Sequence, residues 1–262
     1  MSALRTVAVT RYVTPLREGG SVPAIVEADD DGMYVLKFRG AGQGPKALIA
    51  EVLAGEIGRA ADLPVPEIVL IQLDPDLART EPDPEIQDLI RASAGLNVAL
   101  DYLPGAVTFD PVIHRPAAPL ASAIVWFDAF VTNVDRTVRN TNMLMWHRQL
   151  HLIDHGAALY FHHDWEADYL ARSRDPFARI GEHVLLQFAS ALPEAHESML
   201  ERLTPQVIRS LVGLIPDELL GGDPAFKTPG EFRVAYERYL LRRLEPPYDF
   251  FMEAQRAHAQ LV

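Results

Sequence analysis

The segment that most restricts the fold of this 262-residue chain lies near its middle. Leu120 to Val131 (LASAIVWFDAFV) is strongly apolar with helical character, and its Trp126 to Phe130 stripe is expected to be core. It runs directly into Thr132 to Asn142 (TNVDRTVRNTN), which is too dense in Asn and Asp to continue a helix. Two brief apolar runs follow, Met143 to Trp146 and Leu150 to Ile153, flanking His147-Arg148-Gln149 in the pattern of a small hairpin. Ile153-Asp154-His155-Gly156 comes next. A fold must therefore bury a helix, support a polar loop carrying Asp135 and Asn140 at its end, and deliver a second Asp beyond a hairpin.

The flanking texture divides the chain in two. Residues 5 to 13, 22 to 28 and 32 to 38 are expected to be short strands, the first two separated by Gly19-Gly20-Ser21, giving an antiparallel opening. After a Gly-rich loop at 40 to 45, Lys46 to Ala61 carries apolar residues at helical spacing and ends at Pro64 and Pro66. Val65 to Leu73 is a further strand, Asp74 to Asp88 a Pro-rich acidic excursion, Glu85 to Ser93 a weak helix, and Asn97 to Leu103 a strand ending at Pro104-Gly105. That dipeptide is taken as the boundary between two lobes. Residues 1 to 103 would form a sheet with one helix, and residues 104 to 262 a mostly helical part whose later helices are separated by Pro193, Pro205, Pro216 and Pro229. The expected class is α+β.

Composition removes several functions. With 24 Lys and Arg against 36 Asp and Glu, the net charge of −12 argues against nucleic-acid binding, which draws on a basic surface set against phosphate. No Cys is present, so disulfides, thiolate zinc sites and thiol nucleophiles are excluded. No apolar stretch approaches the roughly 18 residues of a membrane span, and the N-terminus lacks a signal-peptide core. A soluble cytoplasmic protein without stable membrane association is the expectation. Only Lys37, Lys46 and Lys227 are lysines, so a lysine kept inside the apolar run Val35-Leu36-Lys37-Phe38 needs a reason. Strand alternation sets Lys37 on the face opposite Leu36 and Phe38, where a lone ammonium wants a carboxylate or a phosphate. Glu51 lies on the following helix.

An Asp followed five residues later by an Asn, with a second Asp about twenty residues on, is the layout that protein kinases use for phosphoryl transfer. The first Asp orients or deprotonates the attacking hydroxyl, and the Asn and second Asp hold magnesium, which demands oxygen ligands and keeps some of its water. Asn133-Val134-Asp135-Arg136 through Asn140, with Asp154-His155-Gly156, Lys37 and Glu51, resembles the HipA-like kinases, atypical serine/threonine kinases. The loop through Leu144 is also similar to that of type II phosphatidylinositol 4-kinases. The resemblance covers most of residues 5 to 165. It implies a bilobed kinase-like fold, ATP and Mg as cofactors, and a protein or small-molecule hydroxyl as acceptor. It further implies Asp135 as catalytic base, Asn140 and Asp154 as metal ligands, Lys37 as the phosphate lysine and Glu51 as its partner. Gly19, Gly20 and Ser21 would cover the phosphates, and Val98 to Leu103, with Asp101, Tyr102 and Leu103 at its end, would be the hinge against adenine. His155 stands where protein kinases commonly have Phe, and the 17 to 22 loop is shorter and less Gly-rich than their phosphate loop. HipA toxins carry an N-terminal subdomain ahead of the kinase core, whereas this sequence begins almost at the core, so a toxin role is not implied.

Other readings are a nucleotide-binding pseudokinase without transfer and, on the phosphoinositide-kinase likeness, a lipid kinase. The acidic charge and the lack of a basic amphipathic helix weigh against the latter. Gly40 to Lys46 fails as a P-loop because Pro45 and Ala47 occupy its Gly and Ser/Thr positions. His147, His151 and His155 alternate along a strand-like segment and are not expected to converge on a metal.

Overall fold

Alternating burial through Val7 to Val9 and Tyr34 to Leu36 gives the opening sheet its two faces. The computed structural model describes residues 3–16, 22–42, 44–165 and 168–261. Strands β1 (Thr6–Pro15), β2 (Ala24–Ala28) and β3 (Met33–Lys37) form an antiparallel meander. Helix α1 (Pro45–Ala60), β4 (Ile68–Leu73), helix α2 (Pro84–Ala92) and β5 (Gly95–Asp101) follow. The strand order is β1-β2-β3-β5-β4, and β4 returns to lie parallel to β1 through Thr6 to Ala8, closing a barrel. The sheet expected to be antiparallel thus contains one parallel pairing. Alternation reveals which side chains share a face, not which strands are neighbours.

Val7, Val26, Leu36, Val69 and Ile71 fill the barrel interior, and Ile86 and Ile90 of α2 join that cluster. The segment read as an exposed excursion is therefore anchored: a 3-10 turn at Pro75–Thr80 buries Ala78, and the Asp83 side chain caps α2. Along β5, Ala99 faces the interior while Val98 and Leu100 face α1. Helix α1 starts at Pro45 after Gly44, which sits at φ 66°. Its Leu48, Ile49, Val52 and Leu53 belong to the larger apolar cluster, shared with Trp126, Phe127 and Phe130. The approach to β4 is close: a Cβ on Gly55 would lie 2.3 Å from Ile68 Cδ1.

Strand β6 (Val107–Thr108) pairs with β7 (Met143–Trp146) and β7 with β8 (Gln149–Leu152), which realises the expected hairpin. Two residues carry no readable alternation, so β6 had no sequence signal. Between them α3 (Ala118–Phe130) buries the expected Trp126 to Phe130 stripe completely. Helices α4 (Tyr169–Arg172), α5 (Leu192–Arg202), α6 (Pro205–Val212), α7 (Pro229–Arg243) and α8 (Asp249–Ala259) complete the chain, α5 to α7 each with Pro in the first turn. The buried Arg243 guanidinium donates to the carbonyls of Ala129 and Phe130, both at 2.8 Å, and so caps the end of α3 just ahead of the polar loop. No helix among the described residues is long and apolar enough to cross a membrane.

Candidate active site

Three elements converge on Lys37, the last residue of β3. Its Nζ lies 2.7 Å from Asp154 Oδ1 and 3.9 Å from Glu51 Oε2. Glu51 projects from the buried face of α1, and both its carboxylate oxygens accept the His155 backbone N–H at 3.1 Å. Asp154 adopts the left-handed conformation at φ 55°, which Asp tolerates better than most residues. Successive residues then do different work, the Asp154 carboxylate on Lys37 and the His155 N–H on Glu51. The His155 ring is fully buried, edge-on to Phe127, with Nδ1 3.4 Å from Glu51 Oε1. Burial opposes the Lys37 charge, but Glu51 and Asp154 outweigh it and raise the lysine above its ordinary value. Burial likewise opposes ionisation of Glu51, and Lys37 with His155 holds it below the usual carboxylate range.

The polar loop gathers a second group. Asp135 donates its N–H to Asn133 Oδ1 at 3.2 Å, an Asx-type bond that turns the chain. Its Oδ2 accepts from Asn140 Nδ2 at 2.7 Å and from Asn142 Nδ2 at 3.3 Å. The Ile153 N–H donates to the Asn142 carbonyl at 3.0 Å, joining this loop to the residue before Asp154. Asp135 and Asn140 are thus together, as are Lys37, Glu51 and Asp154, and Asn142 links the two groups.

Under the loop lies a buried network that sequence reasoning missed. Asp128 of α3 accepts from Asn133 Nδ2 at 2.9 Å on one oxygen, and from Arg136 Nε at 2.6 Å and His183 Nε2 at 2.9 Å on the other. His183 Nδ1 accepts the Leu185 N–H at 3.0 Å, so the ring proton sits on Nε2 and is donated to Asp128. Arg136 also donates to the Asn142 carbonyl, and Thr137 bridges His183. Burial opposes the Asp128 charge, yet Arg136, His183 and Asn133 lower its pKa to about 2. The available signal was a lone Asp inside the apolar LASAIVWFDAFV, which demands a partner.

Asp101, Tyr102 and Leu103 stand at the end of β5, the strand that pairs with β3 and sets Val98 opposite Lys37. The Asp101 and Tyr102 N–H groups donate to the carbonyls of Glu67 and Met33 at 2.9 and 3.0 Å, and Leu103 is buried. Gly19, Gly20 and Ser21 lie outside the described residues. No three His, Asp or Glu side chains among the described residues converge as a metal cage. The donors that Asn140 and Asp154 can offer are hard oxygens from separate segments, which suits a cation that keeps water and takes phosphate oxygens. His147 and His151 pack on Trp146, away from His155.

Residues 9–252 match the model of the HipA-like kinase family. No curated protein matches the sequence. Among solved structures, the proinflammatory kinase CtkA of Helicobacter pylori is similar at 13% identity and a TM-score of 0.57, over 98% of this chain and 99% of that one. Golgi casein kinase with Mn/ADP bound is similar at 14% identity and a TM-score of 0.52, over 98% of this chain and 74% of that one. At such identities the likeness is one of fold, a mixed α+β fold shared with kinases. With the family model spanning nearly the whole sequence, the chain belongs to the HipA-like kinases.

Proposed function

We propose that this protein is a bilobed, ATP- and Mg-dependent phosphotransferase that moves the γ-phosphoryl group to a hydroxyl, that of a protein serine or threonine. The lobes would be residues 1–103 and 104–262, with the nucleotide between them. The observation that carries this reading is Lys37 held by Asp154 at 2.7 Å with Glu51 behind it, beside a loop in which Asp135 is fixed by Asn140.

Each residue has work to do. Lys37 exchanges its contact with Asp154 for the α- and β-phosphates, while Glu51 keeps it in place. The Asn140 amide nitrogen is committed to Asp135, so its carbonyl oxygen is the atom available to a metal, alongside the part-exposed Asp154 carboxylate. Magnesium bound there would neutralise charge on the bridging phosphate oxygens. Asp135 aligns the acceptor hydroxyl and takes its proton as the oxygen bonds to γ-phosphorus and the β,γ-bridging oxygen leaves with ADP. The Leu103 N–H is the donor offered to adenine, since those of Asp101 and Tyr102 are engaged within the protein. Gly19, Gly20 and Ser21 would cover the phosphates. The site of action is proposed to be cytoplasmic.

The test is transfer from γ-labelled ATP to the protein itself or to serine- and threonine-containing acceptors. Asp135→Ala should lower turnover by about 10²- to 10⁴-fold and leave Mg·ATP affinity nearly unchanged. Label incorporation that persists undiminished in Asp135→Ala removes that residue from the chemistry. Tight Mg·ATP binding with no transfer to any hydroxyl would leave a nucleotide-binding pseudokinase.

A further inference from the structure

On the far side of the β7–β8 hairpin, the approach to α3 and the hairpin enclose a cavity of about 550 Å³, within the usual range for small-molecule sites. Phe109, Leu120, Met145 and Leu150 form its apolar wall, and Pro64 closes one side. None of Lys37, Glu51, Asp135, Asn140 or Asp154 lines it, so it is separate from the site above.

Its polar lining is unusual for this molecule. Arg115 and Arg148 stand at the cavity, both exposed, and neither has an ion pair or hydrogen bond among the described residues. Most other arginines are matched to carboxylates or carbonyls, as expected in a chain of net charge −12. At the same cavity His114 Nδ1 is buried with no partner among the described residues, its ring 5.9 Å from Phe109. A buried ring nitrogen without a partner is costly, and a planar guanidinium fork fits a carboxylate. Val112 and Ile113, 83% and 73% exposed, extend the apolar surface at the mouth.

We propose that this cavity is a second binding site, for a small amphipathic carboxylate whose apolar body fills the pocket and whose head meets Arg115, Arg148 and His114. A neutral hydrocarbon would leave both guanidinium groups unused, and a compact anion would leave the apolar wall wet. Met145 and Leu150 are cross-strand partners in the hairpin, and the Leu152 N–H donates to the Pro64 carbonyl at 2.8 Å. An occupant therefore braces the hairpin that leads from Asn142 to Asp154.

Decanoate, decanol and acetate, each titrated into the full chain labelled with ¹³C at its methionine methyls, test the site. The Met145 signal is assigned by its loss in Met145→Leu. Decanoate should shift Met145 saturably below about 1 mM and leave Met33 and Met252 still, with decanol and acetate at least about tenfold weaker. Arg115→Ala/Arg148→Ala should weaken decanoate by at least about tenfold, and because both side chains are exposed the variant should fold normally. A Met145 signal that never moves overturns the proposal. So does decanol binding as tightly as decanoate, or a double variant that binds as the parent does.

Discussion

Two charge clusters meet at one polar loop and are built in opposite ways. In the Lys37 cluster the lysine and Asp154 side chains are 12% and 39% exposed. In the Asp128 cluster the Asp and Arg136 side chains are both 0% exposed. Water reaches the first, which weakens the pairing and lets Asp154 or Lys37 change partners at modest cost. The second is dry, so its desolvation is offset only while every partner stays in place. The contrast teaches that proximity of opposite charges says little about purpose, whereas exposure separates a contact suited to exchange from one suited to hold.

The largest expected effect breaks the dry cluster. Asp128→Ala leaves the Arg136 charge buried and unpaired and should cost about 3–5 kcal/mol in chemical unfolding. Asp154→Ala should cost under about 1 kcal/mol yet abolish magnesium-dependent nucleotide binding. Equal unfolding losses in the two variants would mean that the two clusters do not differ in this way. Next in size is acid sensitivity. Asp128 has a folded pKa of about 2 against an ordinary value near 3.9, so its contribution is present above about pH 4 and is lost as pH falls toward 2. Asp128→Asn should flatten that part of the stability–pH curve, and a curve parallel to the parent's would show that the carboxylate is not its source.

Buried His162, bonded to the Tyr236 hydroxyl at 2.9 Å, works in a higher window. Burial, with His163 and Lys46 nearby, pushes it well below the ordinary histidine value. The unfolded chain then binds the extra proton, so stability is full above about pH 6.5 and declines below it, by at most about 1.4 kcal/mol per pH unit. In His162→Gln the slope between pH 6.5 and 5 should shrink, which thermal melts across that range would detect. Smallest is the Lys46–Asp223 pair at 2.9 Å, partly exposed, where Lys46→Ala should cost about 1 kcal/mol or less and lose its salt dependence.

Much of this molecule was legible in its sequence because the informative signals are local. Apolar spacing marks α1 and α3, proline marks the starts of α5 to α7, and the density of Asn and Asp marks the loop that holds Asp135. Lys37 and Asp154 lie 117 residues apart, and only the likeness to kinase motifs joins them before a structure does. The Asp128 network had no such template: a lone Asp in an apolar helix announces a need, but His183, 55 residues on, carries no mark as its answer. Barrel closure was hidden for a related reason, since β1 and β4 meet through main-chain bonds that any residues can make.

That closure also governs what the molecule avoids. A sheet of five strands would ordinarily end in two rows of free N–H and C=O groups, ready to recruit the same strand from another copy. Here β1 joins the two ends, bonded to β4 through Thr6 to Ala8 and to β2 through Val9 to Pro15. The first strand of the chain thereby acts as a guard against self-association. Loss of Thr6 to Pro15 would bare two edges together and favour aggregation through the sheet.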